Sequence, residues 1–528
     1  MNLKLSLSKI GIRPRWESTT VRTLGILEVV FALLFLVPAG VALLLGEDPR
    51  VFAAPVLPLL VAGGLQYMLF KESSTFRSVN GLVLIGLVWL VMFLISALPF
   101  LFSGMDLVDS LFEAVSGITT TGLSIIPDVE AQPMSLLIWR AMSMWMGGIM
   151  IIIVFLYMLP LFGIGRNVFT NELSGSGSSN YSMKMRNAAK SFIYSYLLLS
   201  LINLVLLLVF GMDPLEAFCL MCATISTGGL MCTNDSMMSY SDAIQLITIL
   251  FMFLGATNFY LHYRAIHRKE RGVYRKNSEF RTMLWWFLGI SVIVYLFVVT
   301  GSDTPIQGLE GHYEAFKNAL FTTVSLGTTT GLYVDDFTLY PEQCTLLLMI
   351  VALIGGCSGS TSGGIKFSRL RIIYEFLKNN FGKVVHPNAV YDVKMDGASV
   401  DNSTVQSTLT IFLLFVVSVI VGTILIIMIG ITQPTVNGAE IDIIDSVGLA
   451  ITSISNGGMG FGNFGPTGNF AELQDSLKIV LMIMMWVGRL EIVTALVLFT
   501  PGFWKDLMAN RKYRNHRSRR ARRRSDRA

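Results

Sequence analysis

Four short segments hold the residues whose types and spacing could do chemistry: SGITTTGLS (Ser116–Ser124), ATISTGGLM (Ala223–Met231), SLGTTTGLY (Ser325–Tyr333) and SISNGGMGFG (Ser453–Gly462). Aligned on their glycines, they place Gly122, Gly228, Gly331 and Gly458 in register, at separations of 106, 103 and 127 residues. The chemistry these residues suit is coordination of a bare monovalent cation. Rings of backbone carbonyls can stand in for the hydration shell of K⁺. Turning successive carbonyls toward one axis needs unusual φ values, which glycine adopts without steric cost. A preceding threonine adds a hydroxyl oxygen on a stiff β-branched stem. The candidate ligands are Thr120, Thr121 and Gly122; Ser226, Thr227 and Gly228; Thr329, Thr330 and Gly331; and Asn456, Gly457 and Gly458. The fourth set departs most, with no threonine before its glycines. One such segment reads equally well as a polar loop; four at corresponding places do not.

The surroundings say what must position these turns. Of the 528 residues, 53% are hydrophobic and 14% charged, against about 25% charged in a soluble domain. Ten apolar runs recur, near 24–46, 53–70, 80–102, 134–162, 192–211, 240–262, 281–300, 341–376, 405–432 and 475–500. Runs of about 20 such residues cross a bilayer core. The stretches just before the turns, Val108–Gly117, Pro214–Ile225, Tyr313–Gly327 and Asp442–Ile454, are too short to cross. They read as half-helices that enter from outside and stop part-way. Irregular backbone at that depth is tolerated only inside protein or against a water-filled cavity. Half-helix C-termini carry roughly −0.5 charge, which suits a cation at their meeting point.

The expected fold is therefore an all-α polytopic membrane protein of about ten transmembrane helices. Two N-terminal spans (1–78) precede four units of span, half-helix, turn and span (79–165, 166–265, 266–385 and 386–504), and a basic tail (505–528) follows. Of the 40 Lys and Arg, 35 fall in segments on one side, which the positive-inside rule makes the cytoplasm. Both termini are placed there, so each unit begins and ends inside and all four run parallel. Parallel repeats are related by an axis along the membrane normal, which gives a pseudo-four-fold ring around a pore. The opposite face is rich in acids such as Asp128, Glu130, Asp235 and Asp336, and a mouth of one sign concentrates cations. The formal charge of +5 does not suggest nucleic acid. The Arg-rich tail suits anionic membrane lipid instead.

Two further features bear on a pore. The span holding GGCSGSTSGGIK contains Gly355, Gly356, Gly359, Gly363 and Gly364 with Ser358, Ser360, Thr361 and Ser362 among them, followed by Lys366. Each glycine costs about 1 kcal/mol in a helix relative to alanine, so a broken helix with a flexible loop is expected below the turns. It superficially matches a phosphate-binding loop, but Ile365 separates Gly364 from Lys366 and no nucleotide domain surrounds it. Arg489 lies inside the last apolar run, where a charge needs a partner or a role in the pore. Loop and arginine together are expected to form a gate. Arg140 reads as snorkelling to the outer interface. Cys219 and Cys222 read as packing, and no HExxH or facing nucleophile–base pair points to an enzyme. A secondary transporter of a small solute, built on broken helices, is the alternative; such folds usually show two inverted halves.

These motifs, spread over residues 24 to 504, resemble the TrkH/TrkG/KtrB superfamily of K⁺ transport pore subunits. SGITTTG, STGG, GTTTG and NGGMG stand where that family has its four filter turns. GGCSGSTSGGIK stands at its intramembrane loop, and WVGRLEIVTALVLFTPGFW (Trp486–Trp504) at its last span. The two extra N-terminal spans are similar to the TrkH branch. The tail beyond Lys505 departs from the family's usual short end. The resemblance implies potassium uptake across a bacterial cytoplasmic membrane by a homodimer in which each subunit has its own pore. It also implies regulation by a cytosolic nucleotide-binding subunit of the TrkA type. A glycine rather than a serine at each filter position goes, by the same resemblance, with K⁺ over Na⁺.

Overall fold

The computed structural model describes residues 16–71, 78–158, 178–301, 307–386, 388–389, 391–432 and 440–501. The basic tail lies outside them. The chain opens with α1 (Trp16–Leu34), α2 (Leu36–Leu45) and α3 (Arg50–Leu69). The first repeat is α4 (Ser78–Phe102), the half-helix α5 (Leu107–Ile118) and α6 (Met134–Met158). The second is α7 (Ser178–Val209), the half-helix α8 (Pro214–Ile225), α9 (Asp242–Gly255) and α10 (Phe259–Ile266). After a turn of helix, α11 (Val273–Lys276), the third is α12 (Ser278–Gly301), the half-helix α13 (Gly308–Gly327), α14 (Glu342–Ile354) and α15 (Phe367–Val385). A hairpin, β1 (Lys394–Met395) and β2 (Ala398–Ser399), leads to the fourth: α16 (Asn402–Thr432), the half-helix α17 (Ile443–Ser455), α18 (Asp475–Arg489) and α19 (Ile492–Leu498).

Among the described residues, seven helices are long and apolar enough to cross a membrane, and two bent pairs raise the number to nine. The remaining expected span, 341–376, is divided between α14 and α15 by the glycine-rich loop. Two of the expected continuous spans are also broken. α9 and α10 meet at 103°, and α18 and α19 at 113°. The first break has a local cause, since Asn258 caps α10 by accepting the Tyr260 amide at 2.8 Å. The second turns on Glu491, held at φ 63°.

Three of the four half-helices start on acids, Asp106, Asp213 and Asp442, whereas α13 starts after Gln307. Asp213 accepts the Leu215 amide at 2.9 Å, just ahead of Pro214. Asp442 and Asp445 form a reciprocal capping box at the head of α17. Such caps satisfy amides that have no partner within the helix. The ring closes through one repeated contact: each half-helix packs on the last span of the preceding repeat. α8 lies on α6, α13 on α9, α17 on α14, and α5 on α18. Two of these seams carry ion pairs, Lys317–Asp242 at 2.5 Å and Lys478–Asp109 at 2.7 Å. The core lies among the half-helices, where Phe112, Leu220, Phe321 and Leu449 are fully buried. The outer helices instead expose leucines and isoleucines such as Leu413, Ile420 and Ile424 of α16. An apolar outer surface of this kind is what lipid solvates.

Candidate functional site

All four half-helices end the same way. A residue at the cap or just after it stands in the left-handed region: Thr120 at φ 52°, Thr227 at 53°, Thr329 at 57° and Asn456, itself the cap, at 55°. The next amide then bonds back five residues, Thr121 to Ser116 O at 2.9 Å, Gly228 to Ala223 O at 2.9 Å, Thr330 to Ser325 O at 2.8 Å and Gly457 to Thr452 O at 2.9 Å. This is the Schellman ending, which glycine usually supplies. A β-branched residue in that conformation costs on the order of 1–3 kcal/mol, and here three threonines adopt it. Asparagine visits it readily, which accounts for the departure in the fourth turn. Asn456 Nδ2 also donates to Thr121 Oγ1 at 2.8 Å and Met485 O at 3.0 Å, tying the fourth turn to the first.

This geometry corrects the register of the second turn. The glycines with positive φ are Gly122 at 88°, Gly229 at 76°, Gly331 at 85° and Gly458 at 79°. Gly229, not Gly228, therefore matches Gly122, and Ser226 belongs to the end of α8, where its Oγ bonds Cys222 O at 2.6 Å. The sequence offers two adjacent glycines, and only the backbone bond pattern separates them. The four turns converge. A Cβ placed on Gly122 would lie 2.3 Å from Gly228 O, one on Gly229 2.0 Å from Thr330 O, and one on Gly331 2.6 Å from Gly458 Cα. One on Gly458 would meet Thr330 O at 2.9 Å and Thr121 O at 3.0 Å. Carbonyls and glycine backbones thus crowd a shared centre that has no room for a side chain.

A cavity of about 330 Å³ opens above this centre, lined by Gly122, Gly229, Gly331 and Gly458 together with Asp235, Tyr333 and Arg140. Near its rim, the Asn234 side chain holds Asp128 below the usual carboxylate range, so that acid stays anionic. Arg140 does not snorkel outward. It is 3% exposed, its Nε is 3.2 Å from Glu113 Oε2, and its Nη1 donates to Met231 O at 3.1 Å. Glu113 is fully buried, and its Oε1 accepts the Ser124 hydroxyl and the Ile125 amide, each at 2.7 Å. The pair thus braces the outgoing strands of the first and second turns from behind. Nothing in the sequence marks it, since the partners lie on different helices.

Below the centre sits the loop from Gly355 to Lys366. Its neck is closed by Ile365 N to Leu353 O at 3.0 Å and Lys366 N to Ile354 O at 2.7 Å. Gly355 (φ 78°) and Gly364 (φ 72°) cross there, and a Cβ on Gly364 would lie 2.8 Å from Gly355 N. The loop is densely bonded rather than slack. Gly356 N donates to Ser362 Oγ at 2.8 Å, Ser360 Oγ to Cys357 O at 2.6 Å, and Gly359 O accepts Phe259 N at 3.1 Å. It reaches three repeats. Thr361 Oγ1 contacts Ile225 O at 3.0 Å, Gly255 O at 3.1 Å and Thr227 Oγ1 at 3.3 Å. Gly363 N donates to Thr329 Oγ1 at 2.8 Å, and Ser362 Oγ lies 3.2 Å from the same hydroxyl. Gly363 itself is pressed against Ser455 O. The hydroxyls of Thr227 and Thr329 are thus engaged by the loop, whereas Thr120 Oγ1 has no hydrogen-bond partner among the described residues.

Arg489 packs against the same loop. It is 3% exposed and its Nη1 donates to Thr361 O at 2.9 Å. A small cavity of about 60 Å³ beneath the loop is lined by Ser362, Lys366, Arg369, Asn456, Arg489 and Glu491. Lys366 Nζ bonds Ser362 O, and Arg369 pairs with Glu491. The five cysteines are buried free thiols, and no cluster of His, Cys, Asp and Glu that could hold a metal occurs among the described residues.

Four parallel repeats with re-entrant turns meeting on a common centre, with a loop and an arginine packed against one side of it, are the architecture of a polytopic membrane transport protein. The comparisons with known proteins agree on the family. The family model described as "TrkH: Cation transport protein" matches residues 48–505, and the chain belongs to this family of transport proteins, which are not enzymes. It is 30% identical over 499 residues to the Trk system potassium uptake protein TrkH of Vibrio parahaemolyticus, covering 92% of this chain and 99% of that one. It is 29% identical over 489 residues to the Trk system potassium uptake protein TrkG of Escherichia coli, covering 91% and 97%. The crystal structure of the potassium transporter TrkH from Vibrio parahaemolyticus superposes with a TM-score of 0.81 at 29% identity, over 92% of this chain and 99% of that one.

Proposed function

We propose that this protein takes up potassium across a bacterial cytoplasmic membrane, with both termini inside. K⁺ enters the acidic outer cavity, sheds water against the carbonyls of the four turns, and leaves past the Gly355–Lys366 loop. The filter ligands in this reading come from Thr120, Thr121, Gly122, Thr227, Gly228, Gly229, Thr329, Thr330, Gly331, Asn456, Gly457 and Gly458. The observation that carries it is the meeting of the four positive-φ glycines under one cavity, too close for any Cβ. The loop and Arg489 are the gate. An arginine on the ion path repels cations in a low-dielectric setting, and the loop occupies two of the threonine hydroxyls that would otherwise face the ion. The head-to-tail ring favours this pore over a rocking transporter with two inverted halves.

The family relationship supports two further parts of the proposal: a homodimer with one pore per subunit, and opening controlled by a cytosolic nucleotide-binding subunit of the TrkA type. The test is rescue of a K⁺-uptake-deficient bacterium at low K⁺, together with radioactive Rb⁺ flux into liposomes with that subunit supplied, under varied Na⁺ and pH. Growth and Rb⁺ flux that K⁺ competes and Na⁺ does not are expected. Failure to carry either ion with an active partner present contradicts the proposal.

A further inference from the structure

Glu279, the second residue of α12, is buried and takes no part in the ion path described above. Its Oε1 accepts the amide of Ser358 at 2.6 Å and the amide of Ser368 at 3.0 Å. One amide lies in the gate loop and the other in the first turn of the helix leaving it. The hydroxyls of the same two serines bond each other. A single carboxylate oxygen therefore staples the loop to its exit helix. Buried amides left without an acceptor are costly, so the staple favours the seated loop.

The staple has a handle on the cytoplasmic side. The amide of Ser278, one residue before Glu279, is capped by Asp396 Oδ1 at 3.0 Å. Asp396 (φ 50°) and Gly397 (φ 83°) form the turn of the β1–β2 hairpin, in which Lys394 pairs with Ser399 and Met395 with Ala398. Two residues at positive φ are what a tight hairpin of this kind requires. Met395 and Val393 pack with Ile372 of α15. The hairpin thus touches both helices that hold the loop, while Asp396, Gly397, Ala398 and Ser399 face solvent.

We propose that Glu279 is a positioning residue for the gate loop, and that the hairpin Lys394–Ser399 sets its position through the bond from the Ser278 amide to Asp396. Displacing the hairpin draws Asp396 from the α12 terminus, tilts Glu279 away from Ser358 and Ser368, and frees the loop. This rests on the loop being the gate.

The experiment uses the full-length protein in liposomes without any partner. It reads basal Rb⁺ flux and, by peptide mapping, alkylation of the buried loop residue Cys357. Glu279→Ala is expected to raise both by about tenfold, the effect of losing one buried acceptor. Glu279→Gln, which keeps an oxygen acceptor, is expected to raise both less. Asp396→Ala should move both in the same direction and add little on top of Glu279→Ala. A folded Glu279→Ala with unchanged flux and unchanged Cys357 reactivity overturns the proposal. If that variant does not fold, unchanged values in both Glu279→Gln and Asp396→Ala overturn it equally. Deleting Ser358–Ser362 separates the two readings. Raised flux there with silent Glu279 and Asp396 variants sinks this proposal alone, and unchanged flux there sinks the gate and the proposal together.

Discussion

At the scale of single residues, the site works by excluding side chains. A Cβ on Gly229 would meet the Thr330 carbonyl, whereas one on Gly228 would meet only the movable side chains of Met144 and Ser226. Gly229→Ala should therefore abolish K⁺-selective flux, and Gly228→Ala should retain a substantial part of it. K⁺ over Na⁺ permeability in the two variants checks this, and it also tests the shifted register. The glycine-rich turns were readable from composition and repetition, but their register in the second repeat was not, because Ser-Thr-Gly-Gly offers two alignments. The Glu113–Arg140 brace was invisible for a different reason: it is a tertiary contact between residues 27 positions apart, and an arginine near a span end equally suits snorkelling. Breaking a buried pair by removing one partner costs about 3–5 kcal/mol. Arg140→Met should lower the detergent melting temperature more than Glu113→Gln, which keeps an acceptor for Ser124 and Ile125. The reverse order would contradict the brace. In the outer cavity, Asp235→Asn should slow Rb⁺ entry at low ionic strength and have little effect at 1 M salt, where the screening length is about 3 Å.

At the scale of elements, the four half-helices are the parts the sequence describes best. α8 begins and ends where its apolar stretch does, and α17 is displaced by one residue from the expected span. The ends of α5, α8 and α17 were legible because an acid opens them and a glycine turn closes them; α13 opens after Gln307, at Gly308, five residues before the expected Tyr313. The bends after α9 and α18 were not legible. Ala-Thr-Asn and Leu-Glu carry no glycine at the turning residue, and Glu491 at φ 63° is a conformation that propensity argues against. The ring contacts follow from the repeats, yet the charges at their seams are particular to this chain. Lys478→Asp should lower thermal stability through repulsion from Asp109, and adding Asp109→Lys should restore much of the loss. A double-mutant cycle near zero would show that the seam between α18 and α5 owes nothing to the pair.

At the scale of the molecule, everything turns on a centre that no repeat builds alone. Ten apolar runs and parallel orientation were enough to infer the ring, because hydrophobicity and the placement of basic residues are properties of the whole chain. The glycine-rich loop proposed as the gate was legible only as a break in a helix. That the break folds back against the turn of its own repeat and against the second and fourth repeats is decided by tertiary contacts. The small hairpin after α15 was not anticipated from the sequence, although Asp396-Gly397 is a pair that suits a tight hairpin turn. The most direct test is anomalous diffraction from crystals of the full-length protein soaked in Rb⁺. Peaks are predicted on one axis, between the outer cavity and Thr361, within coordination distance of carbonyls from all four turns. Peaks elsewhere, or none in a protein that carries Rb⁺, would contradict the account.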